Sequence, residues 1–234
     1  MRIVALSDMH GHLPEVPPCD LLIVAGDVCP DRVGHSLARH YPDQQKAWFD
    51  AQARPWLAAA PAAHRILTWG NHDWCGQHCS FDSDSPEAAP STALQILVDA
   101  GTSVPRRGAA GGAIAVWATP WSRQFMDWAF MRSREGLADT YAAIPEHVDI
   151  LVSHQPPYGL GDRAVDEQSG QIEHLGSLEL LTAMARVKPR LVICGHIHSG
   201  YGRFESAGTP IYNVSVVNEH YRVVRSPTVI DIDW

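Results

Sequence analysis

The 234-residue sequence predicts an α/β fold. Three observations carry that reading. Short, almost wholly apolar runs recur along the chain, as strands buried on both faces do. Segments with helical periodicity lie between them. The runs also end alike, on a polar or glycine-rich break.

In order, RIVALSD (2–8) is the first run and closes on Asp8, and LLIVAGD (21–27) closes on Asp27. Residues 43–59 have helical spacing, bracketed by Pro42 and Pro61. RILTWGNHD (65–73) closes on Gly70-Asn71-His72-Asp73. The stretch 75–90 is the most loop-like segment and reads as a surface excursion; 91–100 is a second helix candidate. AIAVWATPW (113–121) ends in Pro120-Trp121, and 132–143 is a third helix candidate. DILVSH (149–154) closes on His154, 174–187 forms a helix ended by Pro189, and RLVICGHIH (190–198) closes on His196 and His198. TPIYNVSVV (209–217) and PTVIDID (227–233) read as consecutive antiparallel strands. No internal repeat or Ser/Gly linker divides the chain, so 1–234 is expected to be a single domain.

Composition narrows the classes of function. Apolar residues make up 45%, the formal net charge is −8, and Lys46 and Lys188 are the sole lysines. Such a chain lacks the electrostatic footprint of a nucleic-acid binder, so a nucleic-acid polymer is not the expected partner. A small anionic substrate remains compatible, because bound metal charge overrides net charge locally. The start leads directly into a strand-like run, with no signal h-region and no span long enough for a membrane. Five cysteines without framework spacing fit a reduced, cytoplasmic protein.

In open α/β sheets, ligands gather outside the carboxyl ends of the strands. Five runs deliver Asp, Asn or His there, giving the set Asp8, His10, Asp27, Asn71, His154, His196 and His198. These are nitrogen and oxygen donors without a thiolate, a set that suits Mn, Fe, Zn, Ni or Co. Seven donors are too many for one ion that keeps a position open for water. Two divalent ions sharing a bridging carboxylate would use them, and a pair about 3.5–4 Å apart can hold both the attacking and the leaving oxygen of a phosphoryl displacement.

Asp8-Met9-His10, Gly26-Asp27, Gly70-Asn71-His72-Asp73, Ser153-His154 and Gly195-His196-Ile197-His198 resemble the five ordered motifs of the calcineurin-like metallophosphoesterases. TPWSRQFMDWAF, SHQPPYGLGD and CGHIHSGYG are similar to the small metallophosphodiesterase family that includes brain protein 239. Some animal members have glycine at the first histidine of the last motif. His196 is kept here, which implies a complete second metal site.

The resemblance implies a two-sheet β-sandwich flanked by helices, an αββα fold. It implies that Asp8, His10 and His198 hold the first metal, that Asn71, His154 and His196 hold the second, and that Asp27 bridges. His72 would contact the phosphate and protonate the leaving oxygen, with Asp73 holding its imidazole and Asn71 offsetting phosphoryl charge. A hydroxide bridging the two ions would attack phosphorus in line. The implied activity is a phosphodiesterase acting on small diesters, such as 2′,3′- or 3′,5′-cyclic nucleotides and aryl diesters. A phosphomonoesterase or a nucleotide pyrophosphatase would use the same motifs. A non-catalytic binding protein would be marked by missing ligands, and here every expected position is filled.

Other residues carry weaker signals. Trp121, Phe125 and Trp128 follow a strand end and read equally as an apolar substrate wall or as core. Tyr158 and Asp162 are candidate rim residues, and Asn213 and Ser215 belong to a late strand near the site. Cys75, His78 and Cys79 suggest zinc but lack a partner pair to close four ligands. His12, in DMHGH, reads as a solvated loop histidine over one that faces the site mouth; His35, His40, His64, His147, His174 and His220 match no motif, and Arg106-Arg107 reads as a solvated pair.

Overall fold

The computed structural model describes residues 1–81, 94–106, 112–165 and 170–234. Two sheets form its centre. The first has the order Thr228–Asp231, Arg2–Leu6, Cys19–Ala25, Ala62–Thr68, Leu94–Ile96. Its pairs are parallel except Thr228–Asp231, which runs antiparallel to Arg2–Leu6. The second has the order Gly202–Ser206, Thr209–Asn213, Leu191–Cys194, Ile150–Ser153, Ala113–Thr119, Ala100–Pro105. Its inner pairs are parallel and its outer pairs antiparallel.

Strand alternation divides the core into three layers, because successive side chains point to opposite faces. Ile3, Ala5, Leu21, Ile23 and Ile66 turn inward and meet Val116, Ile150, Val152 and Ile193 of the second sheet. Val4, Leu6, Leu22, Val24 and Leu67 turn outward onto Phe49, Ala53 and Leu57. Leu151, Val192 and Ile211 turn outward onto Leu137, Tyr141, Leu180 and Met184. The result is helix, sheet, sheet, helix, the expected αββα sandwich.

The helices fall largely where periodicity puts them. Pro42–Trp48 and Arg54–Ala59 are joined without a break through a π-helical turn, Phe49–Ala53. Arg134–Ala142 and Leu178–Val187 each start at a serine, Ser133 and Ser177, whose hydroxyl accepts an N–H of the first turn.

Two expectations are corrected. The helix expected over 91–100 is absent from its described part: Leu94–Ile96 is a strand paired with Ala62–Thr68, and Ala100 starts another. Leu94, Ile96 and Leu97 supply the apolar contacts that an edge strand needs. The two last strands are not consecutive partners either. Thr209–Asn213 pairs with Leu191–Cys194 and Gly202–Ser206 in the second sheet, whereas Thr228–Asp231 closes the edge of the first. The excursion at 75–90 begins as a helix, Trp74–His78; its part from 82 on, residues 91–93 and Arg107 lie outside the described residues.

Candidate metal centre

Strands of both sheets end at one edge, and their following residues converge there. The edges are laced together by backbone: Ser7 N–H donates to Val214 O at 3.1 Å, and Val216 N–H to Ser7 O at 3.1 Å. Asp8 N–H donates to Gly26 O at 3.0 Å, and Met9 N–H to Asp27 O at 2.7 Å. The chain must turn sharply at each of these positions. Asp8, His10, Asp27 and His196 have φ of 55°, 45°, 53° and 68°. Left-handed backbone is uncommon outside glycine and collects at functional sites, where the surroundings enforce it.

The convergence yields two donor groups, buried to half-buried, and a third where His10 meets Asp31 and His72. In the first, Asp8, His10 and His198 offer one atom each, all within 4.8 Å of one another. In the second, Asp27, His154 and His196 do the same. Asn71 joins the second group, its Oδ1 lying 2.9 Å from His154 Nε2. Asp27 stands between the groups: Oδ2 is 3.3 Å from His154 Nε2 and 3.9 Å from His10 Nε2. All seven sequence-derived donors are therefore brought together.

The surroundings aim them. His154 Nδ1 bonds Ala25 O at 2.8 Å and His198 Nδ1 bonds Asn218 O at 3.0 Å, leaving each Nε2 toward the centre. Such outer partners fix the orientation of metal-ligating histidines. Asp8 is gripped by Ser7 Oγ at 2.5 Å, Ser215 Oγ at 2.6 Å and the His196 N–H at 3.0 Å. Asn213 Nδ2 donates to Gly161 O and Ile197 O at 2.8 Å, clamping the turn that carries His196 and His198. Asn213 and Ser215 thus hold the site in place.

Charge follows geometry. Burial opposes ionisation of Asp8 and Asp27, yet His198 holds Asp8, and His154 and His72 hold Asp27, below the usual carboxylate range. Burial also opposes protonation of His154, but Asp27 lifts it to about 9. Burial and the neighbouring His154 charge push His196 down to about 3.

Does this set fit divalent ions? Both ring nitrogens of His10 are buried without a hydrogen-bond partner. Buried polar atoms are normally satisfied, so two orphans on one imidazole among carboxylates call for an unshown partner. With nitrogen and oxygen donors in two groups around one central carboxylate, the residues fit two such ions.

His72 lies beside this set, its N–H bonding Asp27 Oδ1 at 2.7 Å. Its imidazole corrects one expectation. Asp73 does not hold it: the Asp73 carboxylate accepts backbone N–H groups of Cys29 at 2.9 Å, Gly70 at 2.9 Å and Val28 at 3.3 Å. Burial and the nearby Asp27 charge push Asp73 up to about 6. The carboxylate on His72 Nδ1 is Asp31, which also lies 3.5 Å from His10 Nδ1. Burial opposes protonation of His72, but Asp27 and Asp31 raise its pKa. Asp31 follows Asp27 by four residues, past Pro30, and no motif marks it.

Of the suggested wall, Trp128 alone among Trp121, Phe125, Trp128 and Tyr158 stands by His72, ring centroids 4.2 Å apart. Trp121 donates its indole N–H to Asp99 at 2.6 Å and packs under Arg132. Phe125 is 65% exposed, and Tyr158 packs at a tilt against His174. Asp162 is no rim residue; buried, it accepts N–H groups of Gly159 and Gly176. Cys75 faces Cys29 at 3.7 Å and Cys79 faces Asp43, so these cysteines and His78 form no donor group among the described residues. Tyr221, without a sequence signal, packs edge-on against His10 at 4.6 Å and His198 at 5.4 Å.

Comparison with known proteins agrees with this geometry. The family model described as calcineurin-like phosphoesterase matches residues 1–200. The human metallophosphoesterase domain-containing protein 1 is 29% identical over 252 residues, covering 99% of this chain and 71% of that protein. Among solved structures, the phosphopantetheinyl hydrolase PptH of Mycobacterium tuberculosis superposes with a TM-score of 0.51 at 15% identity, over 94% of this chain and 90% of that one. GAP50, the anchor in the inner membrane complex of Plasmodium, gives 0.52 at 14%, over 92% and 71%. These two likenesses concern the fold.

Proposed function

The chain belongs to the calcineurin-like phosphoesterase family, and from that premise we propose that it is a metal-dependent phosphodiesterase acting on small diesters. One observation carries the reading: two donor groups meet at Asp27, with His72 beside them. Asp8, His10 and His198 would hold one ion, Asn71, His154 and His196 the other, and Asp27 both. Divalent ions there supply Lewis acidity toward phosphoryl oxygens and acidify water to near-neutral pH.

The remaining steps belong to side chains. His72 keeps Nδ1 on Asp31, which orients the ring and stabilises its protonated form. Nε2 is then free to give a proton to the departing oxygen. Asn71 and His72 offset charge on the phosphoryl group. The likeness of TPWSRQFMDWAF, SHQPPYGLGD and CGHIHSGYG to the small metallophosphodiesterase family supports a diester over a monoester. A monoesterase or pyrophosphatase is the second reading. The whole chain would act as one catalytic domain, in the cytoplasmic setting its cysteine usage suggests. Among the described residues no helix is long and apolar enough to cross a membrane.

The test is substrate profiling of chelated protein reloaded separately with Mn, Zn, Fe, Ni or Co. Turnover of bis(4-nitrophenyl) phosphate and cyclic nucleotides is expected only after reloading. Metal-independent turnover, or turnover confined to monoesters, would overturn the proposal.

A further inference from the structure

A cleft of about 390 Å³ opens beside His72, and its wall includes Trp128, Tyr221, Arg32, Arg39 and the carboxylate of Asp31. Resting on the phosphodiesterase reading, we infer that this cleft receives the leaving group, and that it selects an aromatic ring carrying a second anionic group. The position follows from the chemistry. Hydrolysis consumes one water: its hydroxyl ends on phosphorus as the bond to the leaving oxygen breaks, and a proton reaches that oxygen by way of His72. The departing oxygen must therefore lie next to His72, and the rest of the leaving group must occupy the space that opens from it.

Two rings flank His72 there, Trp128 at 4.2 Å and Tyr221 at 6.1 Å between centroids. Their placement is built in. Ala129 N–H bonds Asn71 O at 3.1 Å, which hangs the Trp128 segment on the motif that carries His72. Tyr221 has φ of 59°. Its loop is tied by Asn218, whose Oδ1 accepts the N–H groups of His220 and Arg222 at 3.1 Å. The carbonyl of Asn218 accepts the Tyr221 N–H at 2.9 Å and also fixes His198. These bonds hold Tyr221 in left-handed backbone and so fix where its ring stands. Half-exposed aromatic faces in a cleft of this size suit a flat ring.

The charge requirement comes from the arginines. In a chain of net charge −8 with two lysines, two exposed guanidiniums line this one cleft. Arg32 donates to the carbonyl of His35 and Arg39 to His40; neither pairs with a carboxylate among the described residues. Asp31, beside Arg32 in sequence, is hydrogen-bonded to His72 and lies 3.5 Å from His10. Planar guanidiniums without an anionic partner suit a carboxylate or phosphate.

The test compares two methyl phosphodiesters, one of 4-ethylphenol and one of 4-hydroxyphenylacetate. Their leaving groups have similar acidity and differ in the distal charge. The native protein should favour the charged diester about tenfold in kcat/KM, through KM, the scale of two exposed charge-assisted contacts. The double variant R32Q/R39Q should bring the ratio near one, and Trp128→Ala should raise KM for both diesters. A ratio of one in the native protein, with the neutral diester still turned over, overturns the cleft assignment and leaves the phosphodiesterase reading standing. So does a preference that survives R32Q/R39Q. A second readout needs no turnover: 4-hydroxyphenylacetate binding to the chelated protein, followed by tryptophan fluorescence. Binding should weaken about tenfold in R32Q/R39Q, and equal binding in both proteins overturns the assignment. Failure of every diester to turn over defeats the phosphodiesterase reading separately.

Discussion

Asp31 determines what His72 can do. An imidazole donates its proton well only if its other nitrogen is held and its cationic form is stabilised. Asp31 meets both conditions through Nδ1, whereas Asp73 spends its carboxylate on backbone N–H groups. Asp31→Asn preserves shape and removes the charge. Its kcat should fall about 10²-fold on the 4-ethylphenyl diester, the low end of general acid catalysis. The loss should be much smaller for a 4-nitrophenyl diester, whose leaving group departs without a proton. His72→Ala should show the same dependence on the leaving group while keeping its metal. An equal loss across leaving groups would reduce Asp31 to a structural residue. His196 tests the other half of the site. His196→Gly should lower the metal content from two ions per chain to one, because Asp8, His10 and His198 remain. Elemental analysis that still finds two ions would count against the assignment.

At the level of elements, the site depends on how strands end. Gly195 leaves the strand Leu191–Cys194 directly against Ser7 and Asp8, where a Cβ would overlap Ser7 Oγ and Asp8 Oδ2. Gly195→Ala should therefore displace Asp8 and cost about 1–3 kcal/mol, the range for overpacking. The first ion should be lost with it. A thermal melt and a metal count check both, and an unshifted melt with two ions would show that the turn can yield. This dependence on strand ends explains what was legible in the sequence. Strands buried on both faces read as apolar runs, and the polar residue closing each one stands out, so Asp8, Asp27, Asn71, His154, His196 and His198 could be found. Leu94–Ile96 is not legible, because a three-residue edge strand has too little length to separate period two from helical spacing. Asp31 and Tyr221 lie on loops, where no periodicity marks a residue and only the folded chain shows its neighbours. Trp121 and Trp128 look alike in sequence; the Asp99 carboxylate holds the first at the sheet edge.

On the scale of the molecule, the donors tie two sheets together. Asp8, His10, Asp27 and Asn71 follow strands of the first sheet, and His154, His196 and His198 follow strands of the second. Each ion would draw ligands from both. Binding to the folded chain alone stabilises it, by about 4 kcal/mol per ion at a thousandfold excess over Kd. At roughly 2–4 °C per kcal/mol for a chain of this length, chelation should lower Tm by about 10 °C or more. Without ions, protons take over part of their task. Asp27 lifts His154 to about 9 against the cost of burial, above its ordinary value near 6.5. A group with a raised folded pKa contributes stability that is complete below its unfolded pKa and lost as pH rises through the folded one. The chelated protein should therefore lose Tm between about pH 6.5 and 9, while the reloaded protein stays level because His154 is then a neutral ligand. Calorimetry of both forms across that range decides it. A chelated protein with a flat profile would mean that His154 is already neutral, and a chelation shift under about 2 °C would mean that the two sheets are held by their packing and backbone bonds alone.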